Sequence, residues 1–127
     1  MIKQVFQVKS YWKVIVYWNV DYNFFDIIAK EMGEMGINRK TIDAIYGKMS
    51  SGKGKAVTIS SIEEHKSIVL FNSHNDIKDY LNSMVHEAEH IKQTMLKAYY
   101  VEDIGEPPAY AIGYLVGRMW EVFKCFV

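Results

Sequence analysis

The stretch SHNDIKDYLNSMVHEAEHIKQTMLKAYY, Ser73 to Tyr100, decides how the chain is read. It opens with Ser, Asn and Asp, residues whose side chains cap helix N-termini, and then continues for about twenty residues without Gly or Pro, which predicts one long helix. With about 100° per residue and His86 at zero, His90 falls near 40° and Glu87 near 100°, while Leu81, Met84, Ala88, Ile91 and Met95 gather between roughly 140° and 220°. The apolar stripe lies opposite the two histidines. The helix can bury one flank in a core and hold both imidazoles on the other.

Upstream, AVTISS and SIVLFN are short β-rich runs separated by the charged IEEHK, and they predict an antiparallel strand pair leading into the long helix. Near the N-terminus, YWKVIVYWNVD alternates, with Trp12, Val14, Val16, Trp18 and Val20 on one side, the pattern of a half-buried strand. KQVFQV before it is either a separate strand or the start of the same one; no Gly or Asn-Gly decides. Phe24, Ile27, Ile28 and Met32 recur at helical spacing before Gly33 and Gly36, and Ile42, Ile45, Tyr46 and Met49 mark a second helix from about Asn38 to Met49. A last helix begins at GEPPAY, where prolines suit the first turn, and runs almost to the end. The predicted order is β, α, α, β, β, α, α, a small single α+β domain over 1–127 with a short antiparallel sheet.

Composition narrows the function classes. One domain fits 127 residues, and with half of them hydrophobic the chain can form a packed core. Fifteen basic residues balance fifteen acidic ones, so no net positive field points to nucleic acid, and no nucleic-acid partner is expected. The lone Cys125 offers neither an internal disulfide nor a thiolate metal site, which suits a reducing cytoplasm. Lysines and glutamines interrupt the N-terminal apolar residues, unlike a secretory signal. The apolar C-terminal segment is broken by Arg118, Glu121 and Lys124, and it reads as a buried helix rather than a membrane span. GKMSSGKG, Gly47 to Gly54, has the frame of a phosphate-binding loop, but Gly54 stands where Ser or Thr would hold Mg2+, and a helix precedes it instead of a strand. A mobile linker is the better reading.

The chemistry of the long helix is sharper. Histidines four apart on a helix are neighbours, close enough for two imidazole nitrogens to bind one Zn2+ at about 2.0 to 2.1 Å. Zinc held in this way polarises a carbonyl and lowers the pKa of a water in its open position toward about 7. Glu87, turned aside from the pair, can take that water's proton and pass it to a leaving amine. Three protein ligands are usual in a catalytic site, so a third is needed; Glu102, Asp103 and Glu106 are the downstream candidates. Glu106 sits just before Pro107 and Pro108 at a helix start where Glu is not a favoured cap, an oddity that a ligand role would explain. Gly113 and Gly117 on its helix suggest close contact with the motif helix, which would hold Glu106 at the metal. Tyr110 and Tyr114 are candidates to donate a hydrogen bond to a developing oxyanion, though packing is the commoner role for a tyrosine. His74 precedes the helix as a cap or a site neighbour, and His65 sits in a charged loop.

HEAEH resembles the HExxH element of zincin metallopeptidases, and EPPAY, Glu106 to Tyr110, resembles the Glu-x-x-Ala element by which gluzincin-like families supply a third ligand. The whole is similar to small HExxH proteins of bacteriophages and mobile elements, distantly to the metallopeptidases that cleave phage repressors. The matching part is about residues 67–120. Glu89 stands where many zincins carry an apolar or small residue. The resemblance implies a zincin-like fold, Zn2+ on His86, His90 and Glu106, Glu87 as general base, and a peptide or protein substrate in the cytoplasm, that of a phage-infected host included, or a place in a virion.

Two function classes follow. One is a zinc-dependent metallopeptidase whose strand before the motif helix pairs with an extended peptide. The other is a non-enzymatic phage or mobile-element protein, structural or inhibitory, that keeps a structural zinc site. A nucleic-acid or partner-binding module built on GKMSSGKGKA is a weaker third.

Overall fold

The structure, a computed structural model, describes residues 1–9 and 11–127. Its elements are β1 (Ile2–Val8), β2 (Trp12–Trp18), α1 (Phe25–Glu34), α2 (Arg39–Ser50), β3 (Ala56–Ser61), β4 (Lys66–Phe71), α3 (Ile77–Ala98) and α4 (Glu106–Phe123), with single 3-10 turns before α1 and after α4. The strands form one sheet in the order β1-β2-β4-β3. Both hairpins are antiparallel, but β2 and β4 run parallel, with Val14 opposite Ser67 and Val16 opposite Val69. The α+β class is therefore as expected, whereas the sheet is mixed rather than antiparallel.

Strand alternation sends residues to two separate cores. Trp12, Val14, Val16, Trp18, Val69 and Phe71 pack against α3 and α4, while Ile15, Tyr17, Ile68 and Leu70 pack against α1 and α2. The central strand β2 is thus buried on both faces, not half-buried, because helices cover both sides of the sheet. Val20 belongs with the second core instead of following Trp18, since the strand ends at Trp18 and Asn19 takes φ 54, which breaks the alternation. KQVFQV is a separate strand. Lys9 turns the hairpin with φ 59, so the reversal carries no glycine signature.

The helices bury less of their apolar stripes than spacing suggests. In α1, Phe25, Ile28, Ala29 and Met32 are buried, whereas Phe24 and Ile27 are exposed; Phe24 stands at the N-cap, outside the helical register. In α2, Asn38 caps the helix by accepting from the Thr41 amide at 2.8 Å, and Ile42 and Met49 are buried while Tyr46 faces solvent. Glycine-bearing α4 packs through Leu115, Met119 and Phe123. Gly113 and Gly117 are not its contact points: a Cβ built on either would meet nothing within 4 Å. Among the described residues, no helix is long and apolar enough to cross a membrane.

The stretch Gly47–Gly54 leaves the end of α2 and enters β3, so the helix precedes the loop and the strand follows it. That is the reverse of a phosphate-binding loop. Asn72 fastens its exit, donating to the carbonyls of Met49 at 2.9 Å and Gly54 at 2.8 Å.

Candidate functional site

Helix α3 starts where expected: Asp76 caps it by accepting from the Lys78 amide at 2.9 Å. Met84, Ala88, Ile91 and Met95 are buried against the sheet and α4, which turns His86 and His90 outward. Their Nε2 atoms lie 3.1 Å apart, with the rings nearly perpendicular. Two ligands of a tetrahedral ion at about 2.0 to 2.1 Å stand about 3.3 to 3.4 Å from each other, so the pair is spaced as an edge of such a site. Helix periodicity brings the two rings together, because i and i+4 side chains stack on one flank.

Glu87 is buried, on the flank of α3 that meets β3. Its Oε1 accepts from the hydroxyl of Thr58 at 2.8 Å. A carboxylate withdrawn from water needs such a donor, and β3 supplies it. The histidines and Glu87 line a cavity of about 470 Å3 together with Lys48 of α2 and Val57, Thr58 and Ser60 of β3. Lys48 and Val57 belong to one side of the sheet and Thr58, Ser60 and α3 to the other. The cavity therefore straddles the outer edge of β3, which among the described residues pairs with β4 alone.

Glu106 and Tyr110 are not beside the histidines. They line a different cavity, of about 870 Å3, formed by the β1–β2 turn, the end of α3 and the start of α4. The reason lies in which flank of α3 each neighbour takes. On the same angular scale as above, Met95, Leu96 and Tyr99, which touch this second cavity, fall between about 180° and 280°, whereas His86, Glu87, His90 and Thr94 fall between about 0° and 100°. α4 packs on the first flank and β3 on the second. Asp103, another candidate ligand, is likewise engaged elsewhere, accepting from Lys92 at 2.8 Å. Among the described residues, no group of three or more His, Cys, Asp or Glu side chains is arranged to hold a metal ion. The donor set that fits zinc consists of the two histidines.

His74 and Tyr114 have structural partners. His74 stacks on Tyr80 and lies 2.7 Å from the Asn72 carbonyl and 2.9 Å from the Ser83 hydroxyl, which anchors the turn before α3. Tyr114 donates to the Gln7 carbonyl at 3.0 Å and accepts from Arg118 at 3.0 Å. His65 stacks on Trp12. Thr58 is the site residue that sequence reasoning missed. Only the docking of α3 on β3 reveals it, and a threonine in a strand carries no signal of its own.

Compared with protein-family models, curated proteins and solved structures, the chain matches none.

Proposed function

We propose that the chain is a zinc-dependent peptidase in which His86 and His90 would hold the metal, with no third protein ligand beside them among the described residues, and Glu87 handles the proton. The observation that carries this reading is the conjunction at one cavity: two imidazole nitrogens 3.1 Å apart, the adjacent Glu87 carboxylate held by Thr58, and the open edge of β3. Zinc, when bound, supplies Lewis acidity toward a peptide carbonyl. Glu87 offers one carboxylate oxygen for a proton while Thr58 holds the other. β3 offers unpaired backbone groups to an extended peptide, which can add as a further strand beside the histidines. The zincin assignment and a phage or mobile-element setting rest on the resemblance of HEAEH alone, since Glu106 of EPPAY lies on the other flank of α3.

A second reading shares the metal and omits the reaction. Two protein ligands at the cavity, with Glu106 on the other flank of α3, favour a zinc site without turnover in a structural or inhibitory protein. One pair of measurements separates them. Zinc affinity is measured by calorimetry and cleavage by a fluorescent unfolded-protein substrate, in the wild type and in Glu87→Gln. Zinc binding with cleavage that the variant abolishes supports the peptidase; zinc binding without cleavage in either supports the second reading; no zinc binding removes both.

A further inference from the structure

We propose that the cavity between the β1–β2 turn, the end of α3 and the start of α4 is a binding site for a small amphipathic cation, an apolar body carrying an ammonium group. At about 870 Å3 the cavity lies within the range of small-molecule sites, roughly 300 to 1,000 Å3. Its walls are almost wholly apolar, from Val8, Trp12, Met95, Leu96, Pro107 and Ala111. This is a separate site from the histidine cavity, on the opposite flank of α3.

Two features leave the space open. Gly113 lines the cavity in the middle of α4, where glycine costs about 1 kcal/mol relative to alanine. A Cβ there would meet nothing within 4 Å, so close packing does not require the glycine; its missing side chain adds to the cavity. Tyr110 is 74% exposed and Tyr11 64% exposed at the same cavity, large rings left without cover.

The rim holds one charge of each sign, Glu106 and Lys9, and the aromatic rings of Tyr11, Tyr99 and Tyr110 beside them favour a cation. Glu106 is the one carboxylate lining the cavity, and among the described residues it enters no ion pair. Tyrosine faces beside a carboxylate are the chemistry that recognises an alkylammonium group, by ring quadrupole and by opposite charge. Tyr114 is not available as a donor, since its hydroxyl is already committed to Gln7. Lys9 also stands at the rim, on a long flexible stem, and it would favour an anion instead. The preference between the two is therefore measurable.

The test titrates the protein with octyltrimethylammonium, 1-octanol and octanoate, all below their aggregation thresholds, and reads the dissociation constants by calorimetry and amide shifts at Ala111 and Gly113. The ammonium should bind roughly tenfold more tightly than the alcohol, and Glu106→Gln should remove that preference. Gly113→Trp should fill the cavity and abolish binding of all three, while Gly117→Trp, outside the cavity, should leave it intact with an equal thermal midpoint. Octanoate binding as tightly as the ammonium, no change in Glu106→Gln, or no binding at all would overturn the proposal. So would a concentration-dependent dimer in sedimentation that Gly113→Trp disrupts, which would assign the cavity to a second copy of this chain.

Discussion

The hydroxyl of Thr58 on β3 donates to the carboxylate of Glu87 on α3 across 2.8 Å. A strand at the margin of the sheet is thereby tied to the carboxylate that lines the histidine cavity. Removing the donor should leave a buried carboxylate without its hydroxyl partner, a loss of about 1 to 3 kcal/mol. Thr58→Val should lower cleavage in the peptidase assay by roughly tenfold or more and Thr58→Ser should restore it, while zinc affinity stays as in the wild type. Equal activity in Thr58→Val and wild type would show that the bond only secures α3.

The metal ligands are testable one at a time. His86→Ala or His90→Ala cuts the chelate to a single imidazole and should weaken zinc binding by at least roughly tenfold. Glu106→Gln should leave it within about twofold, because Glu106 lies on the other flank of α3. Calorimetric titration with zinc sulfate reads all three. A large loss in Glu106→Gln would mean that the start of α4 swings toward the histidines when metal binds.

Glu31 ties α1 to the sheet, accepting from Tyr17 at 2.5 Å and Lys3 at 2.6 Å. Burial on its own would raise this carboxyl, but the bonds from Lys3 and Tyr17 and the charges of Lys3 and Lys66 outweigh it and hold the group below its ordinary value of 4.5. A depressed folded value contributes stability above the unfolded pKa, and that contribution is lost as pH falls through the folded value. Glu31→Gln should be less stable than wild type by about 1 kcal/mol near pH 7, given partial solvent screening. The gap should close in acid. Urea midpoints at pH 7 and at about pH 3 measure it.

Lys92 is almost buried and bridges Glu89 at 2.5 Å to Asp103 at 2.8 Å, clamping the segment between α3 and α4 onto α3. The paired carboxylates, Asp103 first, push its ammonium up from the ordinary lysine value. Lys92→Met should keep most of the packing of the stem and lose the clamp. Amides of residues 99–105 should then exchange roughly tenfold faster in deuterium-exchange mass spectrometry, with α2 unchanged.

What was legible in the sequence was local. Asp76 as a cap, a run free of Gly and Pro, and one apolar stripe sufficed to place α3 and to turn both histidines outward. The hairpin of β1 and β2 was not legible, because Lys9 adopts a left-handed conformation that its side chain does not announce. Nor was the partner of each flank. The interval from His90 to Glu106 does not say on which side of α3 the following helix comes to rest; the burial of Leu115, Met119 and Phe123 against the β1–β2 side of the sheet determines that. Mixed pairing was hidden for the same reason, since the parallel contact of β2 with β4 joins segments far apart in the chain.

That parallel ladder, Lys13 to Tyr17 against Lys66 to Leu70, is also the joint between two halves that can each zip up locally. Each hairpin closes over a short turn, whereas joining them requires a loop of roughly fifty residues, an entropic cost on the order of 3 kcal/mol. Loop closure of that size predicts that docking of the two hairpins, not the formation of either, is the slow step of folding. Until it occurs, β2 and β4 both present open, strongly apolar margins, and the unjoined chain is most exposed to pairing with a neighbour.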